Sequence, residues 1–515
     1  MNRKRFVKPE LWIYIGIFLL ALFLRVYRLG ELPYGLNVDE AGMGYDAFSL
    51  AHWGMDRYFK IRPVYFINYG SGQSVLYGYC CAVLMKFFDP SVVLIRTPAV
   101  CFGMIVWLFG TLTVRKLLGK RIAVLGSFLL AVCPCFILHS RIGMDCFLFS
   151  GMSVLSLYIL LWAAESAGKK SCLFYAAAGA SLGVTLYTYA LSWLAVPFFL
   201  IFFLAYLWYL KRIDWKQILC IGVPLGILAA PLILEVLINT FDLPEIMTGY
   251  FTIPKLMVYR ETELSLNNAI NNIPSLVKCY FFNDDLAYNS LPTFFSLYLI
   301  SIPFCMAGIW EVCVDTVNSF RERCWNPKVL LFLWFLAQTG MGLLIDGPNV
   351  NKMNAVYFVL LFFTVLGLRK AYCKIREQRN RRIYMLCISA VYLFSFVSFG
   401  KYYFTEYKED TFPLPLFWGT YAEVLDEWED VIGERTVYTE CPYAYYALGE
   451  KLSPLEFKLV EKGTKGRDGI WFDLPEEPDE NGFYIIFKRH GYAGRLEEAG
   501  FTRQESGWYT LLYKE

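Results

Sequence analysis

Long apolar segments separated by short polar connectors fill the first 400 residues of the chain. A membrane-crossing helix needs roughly 17 to 25 mostly apolar residues. We predict eleven such helices, at 11–27, 96–114, 122–138, 146–164, 172–187, 194–210, 218–238, 293–310, 329–345, 355–368 and 383–399. The pattern therefore predicts a polytopic all-α membrane domain over residues 1–400.

Lysine and arginine residues collect in alternate connectors and predict the orientation of the helices. The segments MNRKRFVK, RKLLGKR and RKAYCKIREQRNRR are strongly basic, and basic connectors stay on the cytoplasmic side of a membrane. This places the N-terminus in the cytoplasm and the loops 29–95, 139–146 and 239–291 outside, if the apolar segment 74–88 does not cross. At about 15 residues that segment is too short to span a bilayer, so we expect a short helix embedded in the outer leaflet.

The composition becomes that of a soluble protein at about residue 401. We predict a small extracytoplasmic α/β domain at 401–515. AEVLDEWEDVI and AGRLEEAGF have helical patterns, whereas RTVYTE, LEFKLV, GFYIIFK and WYTLLYK have strand patterns. The domain has no phosphate-binding glycine motif and no nucleophile constellation, so its sequence predicts no chemistry of its own.

The overall composition agrees with a membrane protein and excludes other classes. Hydrophobic residues make up 57% and charged residues 18% of the chain, against about 25% charged residues in soluble proteins. A net charge of +3 over 515 residues gives no basic excess for nucleic-acid binding. Three histidines argue against a histidine-rich metal centre, and the 15 cysteines lie mostly in apolar segments, where a thiol behaves as a small hydrophobe.

Two adjacent acids, Asp39 and Glu40, follow the first span in the stretch LPYGLNVDEAGMGYDAFSL. One interpretation is structural: Asp39 caps an amphipathic helix from Glu40 to about Trp53, whose aromatic residues rest on the lipid surface. The other is chemical: a carboxylate fixed at a membrane-embedded cavity can take a proton from an acceptor hydroxyl, or orient it. One residue can do both.

A second charged pair, Arg141 and Asp145, follows the third span in the stretch HSRIGMD. The predicted orientation puts it on the same membrane surface as Asp39. Four residues apart at a helix start, the two side chains would share a face. An ordinary ion pair at a helix end is the alternative interpretation.

These stretches, together with LGVTLYTYALSW, NDDLAYNSLP and NKMN, resemble the polyprenyl-phosphate-dependent glycosyltransferases of the protein O-mannosyltransferase and lipid A aminoarabinose transferase superfamily. The likeness covers about residues 11–368 and depends most on the Asp-Glu pair after the first span. It implies the C-type glycosyltransferase (GT-C) fold. It also implies inverting transfer of one sugar from a polyprenyl-phosphate carrier to a protein, glycolipid or wall-polymer acceptor, at the outer face of a bacterial plasma membrane.

The resemblance also implies roles for individual residues. Asp39 would be the catalytic base or the carboxylate that orients the acceptor, with Glu40 beside it and Asp145 as the acid of the second loop. Expected contacts of the phosphate and the sugar are Arg141, Lys352, Arg62, Arg260, Tyr288 and Asn289, with Arg141 favoured because its planar fork can hold two phosphate oxygens. Aminoarabinose-type relatives carry Lys-Pro-Pro near the end of the first outer loop, where this chain has KIRPVYF.

Three questions stay open at the level of sequence. A transporter or flippase for a lipid-linked or soluble sugar is the main rival, although neither internal symmetry nor midplane charge pairs are evident. A scaffold that only displays the C-terminal domain would leave the charged loops without a role. We expect no metal because the Asp145 loop lacks a D-x-D pattern, while Asp284 and Asp285 leave a divalent cation as an alternative.

Overall fold

The computed structural model describes residues 9–68, 70–259, 265–282, 291, 293–407, 417–418, 421–440, 442–461, 469–487, 491–506 and 509–514. The helices up to residue 401 are α1 (Pro9–Val26), α2 (Val38–Trp53), α3 (Leu76–Met85), α4 (Val92–Leu118), α5 (Lys120–Val132), α6 (Pro134–Leu138), α7 (Cys146–Glu165), α8 (Lys169–Thr185), α9 (Ser192–Tyr209), α10 (Trp215–Thr240), α11 (Asn268–Phe281), α12 (Ser301–Glu322), α13 (Lys328–Leu344), α14 (Tyr357–Lys374) and α15 (Gln378–Lys401). Short strands between them are β1 (Leu36–Asn37), β2 (Phe66–Asn68), β3 (Ser71–Gln73), β4 (Ile246–Met247) and β5 (Thr252–Ile253).

Nine of the eleven predicted spans match one helix closely, the span 122–138 is divided between α5 and α6, and the span 293–310 overlaps α12 only in part, which confirms the polytopic all-α architecture. Within the described residues, six helices are long and apolar enough to cross a membrane: α4, α7, α9, α10, α14 with its preceding 3₁₀ turn, and α15.

The eighth span begins later than predicted, because α12 runs from Ser301 to Glu322 rather than over 293–310. Its first turn contains Pro303, a position at which a missing N–H costs nothing. The helix continues past Trp310 because the next two acids along it, Glu311 and Asp315, have cationic partners. Lys328 Nζ lies 2.5 Å from Asp315 Oδ2, and Lys370 Nζ lies 3.4 Å from Glu311 Oε2.

The segment 74–88 is too short to cross a bilayer, as predicted. Helix α3 has ten residues, which is about 15 Å of helix. The two ends of α4 carry different partners: Arg96, near its start, pairs with Glu40, whereas Lys116, near its end, pairs with Glu165 at the end of α7 (2.6 Å). The basic hairpin RKLLGKR therefore lies at the opposite end of α4 from the two acids.

The connector 239–291 is not the simple outer loop that the sequence predicted, because α11 packs along α13. The Tyr280 hydroxyl of α11 lies 3.2 Å from the Thr339 hydroxyl, which belongs to the middle part of α13. Asn272 Nδ2 donates to three carbonyl groups around the end of α13, those of Gly342, Leu343 and Ile345. The opposite side of α11 exposes Ile270, Ile273 and Val277, so this apolar face is placed to meet lipid.

The C-terminal domain is built on a five-stranded mixed sheet with the strand order β10-β11-β9-β7-β8. Its strands are β7 (Val437–Thr439), β8 (Ile470–Trp471), β9 (Phe483–Phe487), β10 (Thr502–Ser506) and β11 (Tyr509–Tyr513), after β6 (Phe417–Trp418). Its helices are α16 (Tyr421–Glu427), α17 (Glu429–Ile432), α18 (Tyr443–Gly449), α19 (Pro454–Glu461) and α20 (Tyr492–Glu498). The predicted small α/β domain is confirmed.

The prediction of a strand at LEFKLV is wrong, because this segment forms helix α19. Ser453 and Glu456 make a capping box: the Ser453 hydroxyl accepts from the Glu456 amide (3.3 Å), and the Glu456 carboxylate accepts from the Ser453 amide (2.8 Å). Pro454 occupies the first helical position, where its fixed φ angle suits a helix. The signature S-x-x-E was present in the sequence and outweighs the alternating pattern.

The C-terminal domain packs directly on α2. β6 pairs in antiparallel fashion with β1, which immediately precedes α2. The Tyr45 hydroxyl donates to the carbonyl of Leu452 (2.9 Å), and the Tyr45 ring packs on Phe457 at 4.6 Å. Residues 40–50 of α2 are buried. The interpretation of α2 as a helix resting on the lipid surface is therefore wrong, because Tyr45 and Phe48 face protein, whereas Trp53, at its end, is exposed.

Candidate active site

Helix α2 begins two residues earlier than predicted, at Val38, because Asn37 rather than Asp39 is its N-cap. The Asn37 side chain accepts from the Asp39 amide (2.9 Å), and the Asn37 amide donates to Glu40 Oε2 (2.8 Å). This capping box satisfies amide groups that the first turn of a helix leaves unpaired. Asp39 therefore lies inside the first turn, where the positive helix end favours its ionised form.

Glu40 joins three segments of the chain and has no exposed surface. Its Oε1 accepts from Arg96 Nε (2.9 Å) and from the Gly143 amide (2.6 Å). Arg96 also donates to the carbonyls of Leu29, Pro33 and Gly35. Glu40 thus anchors the start of α2 to α4 and to the loop of Asp145, which makes it a positioning residue rather than a group that touches substrate.

Asp39 is partly exposed and is held by a hydrogen bond from Asn68. Asn68 Nδ2, at the end of β2, donates to Asp39 Oδ1 over 3.0 Å. The hairpin that holds Asn68 also contacts Asp145, because the Ser74 amide just after β3 donates to Asp145 Oδ2 (3.0 Å), and the charge of Asp39 contributes to the raised pKa of Asp145. The structure therefore brings together the two acids that the sequence predicted on one membrane surface.

Asp145 is the N-cap of α7 and is 8% exposed. Its Oδ1 accepts from the Cys146 amide (2.8 Å) and its Oδ2 accepts from the Ser74 amide (3.0 Å). Burial, and secondarily the charge of Asp39, raise the pKa of Asp145 to about 7. At neutral pH this side chain is divided between its two protonation states.

A cavity of about 800 Å³ opens beside Asp145. The polar and charged side chains that line it include Asp145, Ser71, Thr240 and Lys352. Most of the wall is apolar, supplied by residues of α9, α10 and the segments next to them: Leu186, Ala190, Leu191, Leu194, Pro197, Ala229, Leu232, Ile233, Val236, Leu237, Leu256, Val258 and Ile345. An apolar chain with a charged head matches this division.

Lys352 lies on the cavity, as the sequence suggested for a phosphate contact. Its amide donates to Asn349 Oδ1 (3.0 Å), and its ammonium group donates to the carbonyl of Asp346 (2.5 Å). Asn351, in the same turn, lies 3.9 Å from the sulfur of Met144 in the Asp145 loop. Two loops far apart in the sequence thus place a cation and an acid on one cavity.

Arg141 is not placed to bind phosphate, because it is fully buried. Its guanidinium donates to the Tyr403 hydroxyl (3.1 Å) and to four carbonyl groups at and beyond the end of α1, those of Leu24, Arg25, Arg28 and Leu32. It therefore closes the last turn of α1. The expectation that it shares a helix face with Asp145 is also wrong, because α7 begins only after Asp145.

The remaining predicted site residues are placed less directly. Arg62 is exposed, does not line the cavity, and donates its amide to the carbonyl of Gly54. Arg260, Tyr288 and Asn289, like Asp284 and Asp285, lie outside the described residues. Within the described part of the chain, no group of three His, Cys, Asp or Glu side chains is arranged to hold a metal ion.

Sequence reasoning missed several residues of the site. Tyr65, Tyr189 and Trp193 line the cavity, and the ring centres of Tyr65 and Trp193 are separated by 5.1 Å. The sequence did not single them out because aromatic residues collect at the membrane interface in any membrane protein. Asn68 and Ser74 left no signal in the sequence. Arg96 did leave a signal in the sequence. An arginine within an apolar segment is costly unless it has a partner, so its presence argues for a buried acid such as Glu40.

No protein-family model and no curated protein sequence matches the chain. Solved structures do match. ArnT from Cupriavidus metallidurans in its apo state is 11% identical with a TM-score of 0.56, and the match covers 98% of this chain and 97% of that protein. The same enzyme bound to undecaprenyl phosphate has 12% identity, a TM-score of 0.53 and the same coverage.

The apo oligosaccharyltransferase of Archaeoglobus fulgidus is 13% identical with a TM-score of 0.50, over 85% of this chain and 63% of that protein. ArnT is a lipid A aminoarabinose transferase, and both proteins have the GT-C fold. The fold that the sequence resemblance implied is therefore confirmed, and the similarity to ArnT includes the C-terminal domain, which lay outside that resemblance.

Proposed function

We propose that the chain is an integral membrane glycosyltransferase that moves one sugar from a polyprenyl-phosphate carrier to an acceptor. The observation that carries the proposal is the lining of the cavity, which is mostly apolar side chains of α9 and α10 but also includes Lys352 and Asp145, while the hairpin of β2 and β3 contacts both Asp145 and Asp39. Such a cavity suits a lipid whose charged headgroup carries the reacting atom. The undecaprenyl phosphate bound by ArnT, which has the same fold, supports this donor class.

In the proposed reaction, the acceptor hydroxyl attacks the anomeric carbon from the side opposite the phosphate. A new carbon–oxygen bond forms, and the bond from the anomeric carbon to the phosphate oxygen breaks. The polyprenyl phosphate leaves with the bonding electron pair, and the configuration of the sugar inverts. Lys352 lies where its positive charge would stabilise the departing phosphate.

Asp39 receives the proton of the acceptor hydroxyl or orients that hydroxyl for attack. Inverting sugar chemistry needs a carboxylate on the acceptor side of the sugar. Its position in the first turn of α2 keeps Asp39 ionised, so its contribution comes from placement rather than from high basicity. Glu40 and Arg96 support that placement from the protein side.

The orientation predicted from basic connectors belongs to the same proposal. The N-terminus is cytoplasmic, and the cavity and the C-terminal domain face the outside, where a lipid-linked sugar would meet a protein, glycolipid or wall-polymer acceptor. Glu40, next to Asp39, pairs with the start of α4, whereas the basic hairpin lies at the other end of α4. This arrangement supports placing the acids and the hairpin on opposite faces of the membrane.

Purified protein incubated with a panel of polyprenyl-phosphate sugars and crude envelope acceptors, followed by mass analysis of products, tests the function. We expect release of free polyprenyl phosphate together with a sugar added to an acceptor. Movement of unmodified donor across vesicle membranes without transfer would support a flippase instead.

Asp39→Asn tests the role of the carboxylate. The amide retains the size of the side chain but does not accept a proton, so turnover should fall by at least about a hundredfold, while thermal stability and donor binding stay near wild type. Wild-type turnover in this variant would limit Asp39 to a structural role.

A further inference from the structure

The hairpin of β2 and β3 contacts both acids of the site. At one end, the Asn68 side chain donates to Asp39 Oδ1 (3.0 Å). Just after the other end, the Ser74 amide donates to Asp145 Oδ2 (3.0 Å). The two strands pair from Phe66 with Gln73 to Asn68 with Ser71, so the two donors belong to one small rigid element.

Asn68 is 8% exposed, and its two amide atoms have different surroundings. Its nitrogen donates to Asp39, whereas its Oδ1 is buried and has no hydrogen-bond partner in the part of the chain that the structure describes. That oxygen lies against α2 at Gly42, where a Cβ would be 2.9 Å from it. A buried acceptor without a partner lowers stability, so a hydrocarbon side chain of similar size would suit this position better if only stability mattered.

We propose that Asn68 is a positioning residue for Asp39: it acts through its hydrogen bond to Oδ1 to hold the carboxylate toward the acceptor hydroxyl. This inference rests on the proposed function and deepens it. The donor is a neutral amide, so it orients the carboxylate without cancelling its charge. A cation in the same place would lower the pKa of the carboxylate further and weaken it as a base.

The experiment compares two matched substitutions, Asn68→Leu and Asn272→Leu. Both asparagines are 8% exposed, but Asn272 donates to carbonyls at the end of α13 and does not line the cavity. We expect Asn68→Leu to lower kcat by about ten- to a hundredfold, with the donor KM unchanged and Tm equal to or above wild type. Asn272→Leu should lower Tm and leave the kcat of the folded protein unchanged.

The proposal is overturned if Asn68→Leu keeps wild-type kcat, or if it loses as much Tm as Asn272→Leu. Asp39→Asn separates this failure from failure of the proposed function. An inactive Asp39→Asn together with a fully active Asn68→Leu refutes the role of Asn68 alone, whereas full activity in Asp39→Asn refutes the role of Asp39 itself.

Discussion

Arg96 on α4 and Glu40 on α2 form an ion pair with no exposed surface, with Nε and Oε1 2.9 Å apart. Glu40 directly follows Asp39 in the sequence, so the pair fixes the first turn of α2 against α4. The Gly143 amide donates to the same carboxylate oxygen (2.6 Å), which ties in the loop of Asp145. The geometry of the two acids therefore depends on a contact that itself takes no part in the proposed chemistry.

Glu40→Ala should destabilise the protein strongly. It leaves the Arg96 guanidinium buried without its carboxylate, and breaking a buried ion pair from one side typically costs about 3–5 kcal/mol. We expect a large drop in the Tm of Glu40→Ala, measured in detergent. Asp39→Asn, a substitution at the neighbouring position, is the control and should keep the wild-type Tm. A Tm of Glu40→Ala close to wild type would contradict the anchoring role.

Arg141→Lys should lower stability without a specific effect on the donor. A lysine has three donors on one atom and does not replace contacts to four carbonyl groups and the Tyr403 hydroxyl. Each buried acceptor left without a donor costs about 1–3 kcal/mol. Thermal unfolding and the donor KM of the folded fraction check this; a raised KM at unchanged Tm would return Arg141 to the phosphate site.

Lys352→Gln should weaken donor binding while leaving the fold intact. Loss of a hydrogen bond to a charged group, worth about 1.5–3 kcal/mol, corresponds to an increase of roughly ten- to a hundredfold in the dissociation constant. Titration with a polyprenyl phosphate measures it. Lys352→Arg retains the charge and serves as the control, and equal affinity in Lys352→Gln and wild type would exclude Lys352 from the phosphate site.

The pH dependence of stability should reveal Asp145. Its pKa in the folded protein is raised to about 7 from an ordinary value of 3.8, so the folded state binds more protons than the unfolded state between those values. Its contribution to stability is therefore full below about pH 4 and is lost as the pH rises through 7. Asp145→Asn should show a smaller fall in Tm between pH 5 and pH 8 than wild type, and identical pH profiles would refute the shifted pKa.

Cysteine labelling tests the predicted membrane orientation of the chain. Single cysteines introduced at Glu480 or Asn481 should react with an impermeant thiol reagent from outside intact cells, above the background of the native cysteines. Cysteines at Lys116 or Lys120 should react only after permeabilisation. Labelling of position 480 from the cytoplasmic side alone would invert the topology.

The sequence predicted well wherever a structural property is local. Hydropathy located the predicted spans and the short α3, because each segment must bury its own length in lipid, but it did not indicate α11. Cap signals failed in LEFKLV, where the capping box of Ser453 and Glu456 outweighed strand alternation, and at the start of α2, where Asn37 rather than Asp39 is the N-cap. Helix α12 extends past the predicted end of its span because Glu311 and Asp315 have lysine partners on α14 and α13.

The sequence by itself determined which residues carry charge, and it predicted that Asp39 and Asp145 lie on the same membrane surface. Only the tertiary structure decided what each charge contacts. Glu40 and Arg96 are 56 positions apart, Asp145 and Ser74 are 71 apart, and Asp39 and Asn68 are 29 apart. Arg141 and Lys352 are both cations in connectors that were predicted to be external. Arg141 donates its hydrogen bonds to carbonyl groups at the end of α1, whereas Lys352 lines the cavity. Periodicity and hydropathy describe the surroundings of each segment, whereas a hydrogen-bond partner is set by the packing of segments that are distant along the chain.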